Sequence, residues 1–334
     1  MARGSAKQAK ITDVARHAGV SLSTVSRVMN GNPSVDAALA DRVRTAAAEL
    51  GYTASPLARS LVLGRTQTVA VVVPDLGNPT FQAVLRGLSR AAAADGYHVL
   101  IADSAEQVDE ERVLAIETRR RTDGLILCAP RMPGEDLASL LPLVGPVVLV
   151  NRLLDDSVPA VGADYGTALR TLAEHLHDLG HRRLVYLAGV SRSASNSARL
   201  SALAEFRAAH PDVELSELAS GVDFDSGASV ADAVLATRAT GVLAFNDLVA
   251  MGLMSALADR GVRVPADISV TGFDDIPFAR YTSPPLTTAS VPAAELGALA
   301  WQAMNATLSG QDAAASVRLT PEVVLRSSTG PAPD

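Results

Sequence analysis

In the long C-terminal part of the chain, polar side chains recur just past short apolar runs. They are Asp75, Asn151, the stretch 191–199 that ends in Arg199, Asn246-Asp247 and Asp274-Asp275, with Phe81 close behind the first. Arg, Asn and Asp carry forked hydrogen-bond donors and acceptors, and an aromatic face stacks on a ring. Together they suit a polyhydroxylated small molecule. A charged residue in a cleft needs a ligand or a partner, so Arg199 and Asp274 weigh most, and a structural ion pair is the alternative for both. Other chemistries find less support. His175, His177 and His181 look like metal ligands, but the first two are two apart on a predicted helix and face different ways, and Gly180 ends that helix before His181. The single cysteine, Cys128, permits neither an internal disulfide nor a cysteine-based zinc site. No G-x-S-x-G elbow, P-loop or G-x-G-x-x-G fingerprint occurs. No catalytic residue, metal or cofactor is therefore expected.

The elements that must carry these groups alternate. Buried-type strands begin at Val69, Val99, Gly124, Val147, Leu184, Gly241 and Ile268, with helix-like stretches between them such as 81–95 after a loop at 76–79. Strands alternating with helices predict parallel sheets covered on both faces, and so many units predict two doubly wound α/β lobes. Ligands of such sheets bind past the carboxyl ends of the strands, where the polar set falls.

The first 66 residues differ. They hold nine basic and four acidic residues, a net +5, which leaves −12 for the rest of a chain whose total is −7. A small positive head on an acidic body points to a polyanion-binding module. Ile11, Val14, Ala15 and Ala18 follow helical spacing, with Thr12 in the first turn or at the cap, and Gly19 breaks the helix. Ser21 can cap a second helix with Val25, Val28 and Met29 inward, and 30–33 (Asn-Gly-Asn-Pro) is turn chemistry. Asp36 can cap a third helix with Leu39, Val43, Ala46, Ala47 and Leu50 inward, stopped at Gly51. This is an all-α helix-turn-helix pattern, whose second helix enters the major groove.

The string Ile11-Thr12-Asp13-Val14-Ala15-Arg16-His17-Ala18-Gly19-Val20-Ser21, then Thr24-Val25-Ser26-Arg27-Val28-Met29-Asn30, resembles the head of the lactose-repressor (LacI/GalR) family of bacterial transcriptional regulators. The resemblance makes Leu22 and Ser23 a base-reading pair, with Arg27 one turn on at a base- or phosphate-contacting position. Ser21, Thr24, Ser26 and Asn30 become phosphate contacts. Ser55-Pro56 is a helix start, and the run to Leu61 is too short to be helical alone. It is similar to the family's hinge helix, which folds when two copies meet in the operator minor groove. Leu61 would be the wedge that kinks the duplex, flanked by Arg59 and Arg65.

The resemblance resumes at Val73-Pro74-Asp75, Val150-Asn151-Arg152, Phe245-Asn246-Asp247 and Thr271-Gly272-Phe273-Asp274-Asp275, and spans roughly residues 11–328. It implies a core related to periplasmic sugar-binding proteins. Arg199 would bind ligand hydroxyls or carboxylates, Phe224 would stack, Asn246 and Asp274 would clamp, and Phe81 would form a wall. Asn151 stands where the family often has Asp. Ser193 and Ser195 fall at positions that vary with the ligand. Expected segments are 10–54 for the DNA-binding domain and 55–66 for the hinge, then 67–162 with 292–323, and 163–291 with 324–330, for the two lobes.

The implied protein is a homodimeric repressor, cytoplasmic and nucleoid-associated, that binds pseudo-palindromic operator DNA under control of a small-molecule effector, most simply a sugar. A nucleoside remains open, although Thr80 disfavours a stacked base. A transport sugar-binding protein and an α/β enzyme with a DNA-binding head are the competing classes. The polar N-terminus lacks the apolar stretch of a secretory signal, and no apolar run spans a bilayer. The arginines at 119–121 are expected in solvent, and 330–334 as a frayed tail without coiled-coil heptads.

Overall fold

The computed structural model describes residues 9–29, 34–53, 64–154, 158–311 and 316–333. The chain divides into two compact units, Met1–Gln67 and Thr68–Asp334.

The first unit holds helices α1 (Ile11–Ala18), α2 (Leu22–Met29) and α3 (Ala37–Glu49). Their ends are written in the sequence. Gly19 takes φ +63°, a left-handed setting that costs a side-chain-bearing residue more, and ends α1. The Ser21 hydroxyl accepts the Thr24 N–H at 3.1 Å, and the Asp36 carboxylate accepts the Leu39 N–H at 3.1 Å. Val14, Val25 and Val43 are fully buried at the centre, one from each helix. In α3 the inward stripe runs through Ala40, Val43, Ala46 and Ala47. Leu39 stays half-buried, because the stripe centres one position further along the helix.

The second unit carries two parallel sheets, as expected. The larger has the order β11-β5-β4-β3-β1-β2. Its strands are β1 (Thr68–Val73), β2 (His98–Asp103), β3 (Gly124–Cys128), β4 (Val147–Val150), β5 (Ala160–Ala163) and β11 (Val317–Leu319). The smaller has the order β7-β6-β8-β9, from β6 (Arg183–Ala188), β7 (Glu214–Ala219), β8 (Gly241–Ala244) and β9 (Ser269–Thr271). Two short strands, β10 (Thr288–Ser290) and β12 (Glu322–Val324), pair antiparallel. Helices α4 (Pro79–Ala94), α5 (Val108–Arg119) and α6 (Gly134–Val144) serve the larger sheet, with α12 (Ala293–Leu308) packed along α4. The smaller sheet has α7 (Tyr165–Asp178), α8 (Ala194–Ala209), α9 (Phe224–Ser229), α10 (Ala231–Ala236) and α11 (Asp247–Asp259).

Where α4 crosses α12 the backbones nearly touch. A Cβ on Gly87 would lie 1.9 Å from the Ala294 carbonyl oxygen, so only glycine permits this approach. Helix α4 starts at Pro79, two residues earlier than the apolar pattern predicts. Asn78 caps it by accepting the Thr80 N–H at 2.9 Å, and proline suits the first helical position.

Of the arginines at 119–121, Arg120 and Arg121 are exposed as expected, but half-buried Arg119 donates to the Gly145 carbonyl at 2.8 and 3.1 Å and so ties α5 to the start of β4. The tail expected to fray is held down at Gly330 and Ala332. Gly330 N–H donates to Ser269 Oγ at 3.1 Å, and Ala332 N–H to the Leu179 carbonyl at 2.9 Å. Both residues gain hydrogen-bond partners in the smaller sheet's lobe, which outweighs the flexibility of a Gly/Pro-rich sequence.

Candidate functional site

Four of the residues expected to meet DNA lie at the surface of the head. Ser21, Leu22, Ser23 and Arg27 are exposed, and Leu22 keeps 48% of its surface in solvent. Arg27 forms no ion pair among the described residues. Thr24 and Ser26 are half-buried. Ser21 Oγ lies 2.8 Å from Ser23 Oγ and 2.9 Å from Thr24 Oγ1, so a hydroxyl cluster surrounds the cap of α2. Asn30, Arg59 and Leu61, and with them the predicted hinge helix, lie outside the described residues.

Between the two lobes of the second unit lies a cleft. Asp75, Phe81, Asn151, Ser195, Arg199 and Asp274 line it, six of the nine residues expected there. The other three are placed elsewhere. Ser193 is fully buried and caps α8, accepting the Asn196 N–H at 3.3 Å. Asn246 caps α11 by accepting the Val249 N–H at 2.9 Å, and its amide donates to the Val222 carbonyl at 2.8 Å. Phe224 opens α9 with 44% of its surface exposed and does not line the cleft. In the first two, a helix start beside a strand end claims the short polar side chain for the backbone.

Arg199 is the centre of the cleft. Its guanidinium carbon sits 4.6 Å from the Tyr165 ring, 4.6 Å from Phe245 and 4.1 Å from Phe273, while only 1% of the residue is exposed. Cation–π contact offsets part of the desolvation. Nη1 donates to Ser195 Oγ at 3.1 Å, but the buried Nε has no partner. An unserved donor on a buried cation is rare, and a ligand or an ordered water would satisfy it. Burial pushes the Asp274 carboxyl up to about 6, against the pull of Arg199. Thr80 faces Asp274 and lowers that value somewhat, yet its buried hydroxyl meets no acceptor in hydrogen-bonding geometry. Asp274 itself holds φ +107°, and Asn151 holds φ +56° while its Oδ1 accepts the Ala163 N–H at 3.1 Å. Such strain gathers at binding sites. Behind Asp274, fully buried Asp247 accepts the Ile276 N–H at 2.8 Å and the Thr288 hydroxyl at 2.6 Å; burial holds its carboxyl well above the usual range.

The cleft also contains residues the sequence reading missed. Glu106, Arg131, Tyr165, Val222 and Phe245 line it. Arg131 Nε and Nη2 grip Glu106 at 2.7 and 2.8 Å. Glu111, 2% exposed, accepts the Arg131 N–H at 2.9 and 3.0 Å and the Met132 N–H at 2.8 Å, and burial raises its pKa. Each missed residue follows a strand end, so the strand-end rule could have found those after β2, β3 and β8. Tyr165 and Val222 follow β5 and β7, which were not recognised as strands.

Among the histidines, His175 meets Thr329 at 3.0 Å and His181 meets Thr240 and Ser269 at 2.9 and 3.1 Å. His177 gathers with His210 and Asp212, one ligand atom each within 4.8 Å. Arg182 already engages Asp212 at 2.7 Å, which opposes a cation there.

A helix-turn-helix head and a two-lobed body with a polar cleft define a DNA-binding regulator with a ligand-binding core. Residues 10–55 match the model for bacterial regulatory proteins of the lacI family, and residues 173–329 match a periplasmic binding protein-like domain. The HTH-type transcriptional repressor CytR of Escherichia coli K12 is 31% identical over 328 residues, covering 96% of each chain. A lac repressor dimer bound to operator and the anti-inducer ONPF superposes with TM-score 0.88 at 26% identity, covering 97% of this chain and all of that one. A LacI family regulator from Enterococcus faecium with bound ribose superposes with TM-score 0.70 at 26% identity, covering 79% and 99%. The chain belongs to the lacI family of bacterial regulatory proteins.

Proposed function

We propose that this protein is a repressor that binds a pseudo-palindromic operator as a homodimer and is controlled by a polyhydroxylated small molecule held in the cleft between the core lobes. It works in the cytoplasm on the nucleoid and catalyses no reaction. Leu22, Ser23 and Arg27 read bases; Ser21, Thr24, Ser26 and Asn30 fix register on phosphates; Arg59 and Leu61 act in the minor groove. Arginine can hold guanine O6 and N7 together, whereas Leu22 offers an apolar contact such as to a thymine methyl. The resemblance to the operator-bound lac repressor supports this docking.

One observation carries the effector reading. Arg199 is buried against three aromatic rings with Nε unserved, opposite the Asp274 carboxyl. A ligand hydroxyl that accepts from Nε and donates to Asp274 completes both. A bound ligand favours one relative setting of the lobes, and that setting decides whether the hinge segments can pair on DNA. Coupling of this kind is reciprocal. Fluorescence titration of ligand with and without operator should therefore show affinities differing by the same factor that ligand imposes on operator, about 5- to 150-fold. Equal affinities would remove the allosteric claim.

A further inference from the structure

We propose that Arg131 and Glu106 form a second ligand-reading element in the cleft, one that selects neutral hydroxylated effectors over phosphorylated or carboxylated ones. This rests on the cleft being the effector site.

The pair is expensive to build. The Arg131 side chain is 7% exposed and Glu106 20%, and both line the cleft. A buried ion pair is a weak source of stability, since apolar residues of like volume do as well. The backbone beneath it is strained on both sides: Ala105, Glu106 and Ala129 hold φ +49°, +58° and +47°, a region that side-chain-bearing residues seldom occupy. The turn carrying Arg131 is clamped by a third carboxylate, Glu111, through the backbone N–H groups of Arg131 and Met132. Three separate devices thus fix one guanidinium at the wall of the cleft, which is the pattern of a preorganised contact and not of packing.

Its chemistry follows from the charges. Glu106 takes up Arg131 through Nε and Nη2 and leaves Nη1 outside the fork. The two arginines of the lining face three carboxylates, Asp75, Glu106 and Asp274. A phosphate would enter a cleft whose cations are already matched by acidic groups, and would meet Asp75 besides. A hydroxyl group both donates and accepts, so it can bond the carboxylate edge and the outer guanidinium N–H together. The expected ligand is a neutral sugar or nucleoside.

The test uses the full-length chain and paired probes: D-ribose with ribose 5-phosphate, D-glucose with glucose 6-phosphate, and adenosine with its 5′-monophosphate. Calorimetric titration gives each affinity for the parent and for Arg131→Met, Glu106→Gln and Arg199→Ala, with operator binding as the check that each variant is folded. The neutral member of a pair should bind at least tenfold more tightly than its phosphate. Arg131→Met should weaken it at least tenfold. Glu106→Gln, which keeps the shape and releases the cation, should shrink or invert the preference. A phosphate bound as well as its neutral partner overturns the proposal. So does binding that Arg199→Ala abolishes while the other two variants leave affinity and preference unchanged; the cleft reading then survives. Binding that Arg199→Ala does not affect, or no binding by any pair, overturns both.

Discussion

Arg27 and Asp274 are single side chains with separable readouts. Arg27 stands exposed on the second helix, one turn past Leu22 and Ser23. If it holds a guanine edge, Arg27→Ala should lose about 1–3 kcal/mol of discrimination at that base pair. Competition between the operator and a variant operator measures this, and a uniform loss at every sequence would make Arg27 a phosphate contact instead. Asp274 makes a prediction in pH. Its carboxyl titrates near 6 in the folded protein against the ordinary 3.8. Between those values the native state keeps a proton that the unfolded chain releases. The stabilisation is therefore complete below about pH 4 and is lost as pH rises through 6. Asp274→Asn removes it, so the stability difference between variant and parent should change by about 1–3 kcal/mol from pH 4 to pH 7 in the variant's favour. Parallel denaturation curves across that range would refute the assignment. At this scale the sequence was most informative where a charge had no competing duty. Arg199 and Asp274 were legible, but Ser193 and Asn246 were claimed by helix caps, a local demand that spacing alone does not reveal.

Elements tell a similar story about what patterning can and cannot carry. The strands β1, β3, β4 and β8 are short apolar runs in the buried centre of a sheet, and they were plain in the sequence. Strand β7 mixes Glu, Leu and Ser at a sheet edge, and β5 is Ala-Val-Gly-Ala; neither has the β-branched run that marks a central strand. Missing them hid Tyr165 and Val222. The crossing of α4 and α12 makes the sharpest prediction for an element. A methyl group at Gly87 must push the helices apart at the Ala294 carbonyl, so Gly87→Ala should cost about 1–3 kcal/mol or more, read by chemical denaturation. In the head, Asp36→Ala should cost about 1 kcal/mol by leaving the start of α3 uncapped. A variant as stable as the parent would mean that solvent or a neighbouring group caps the helix equally well.

At the scale of the whole molecule, the split at Thr68 predicts that the body is self-sufficient. A chain beginning at Thr68 should fold and keep the affinity for ligand that the full chain shows without DNA, by calorimetry. Loss of binding would mean that the head helps to build the cleft. No helix among the described residues is long and apolar enough to cross a membrane. The last strands follow another rule. β11 extends the larger sheet beside β5, β12 pairs with β10, and Ser328 then donates to the Val270 carbonyl at 2.6 Å in the smaller one. One terminal thread is thus stitched through both halves of the body in turn. A chain cut shortly before position 317 would unpick both halves at once, so neither half has all its parts until the stretch 317–328 has left the ribosome.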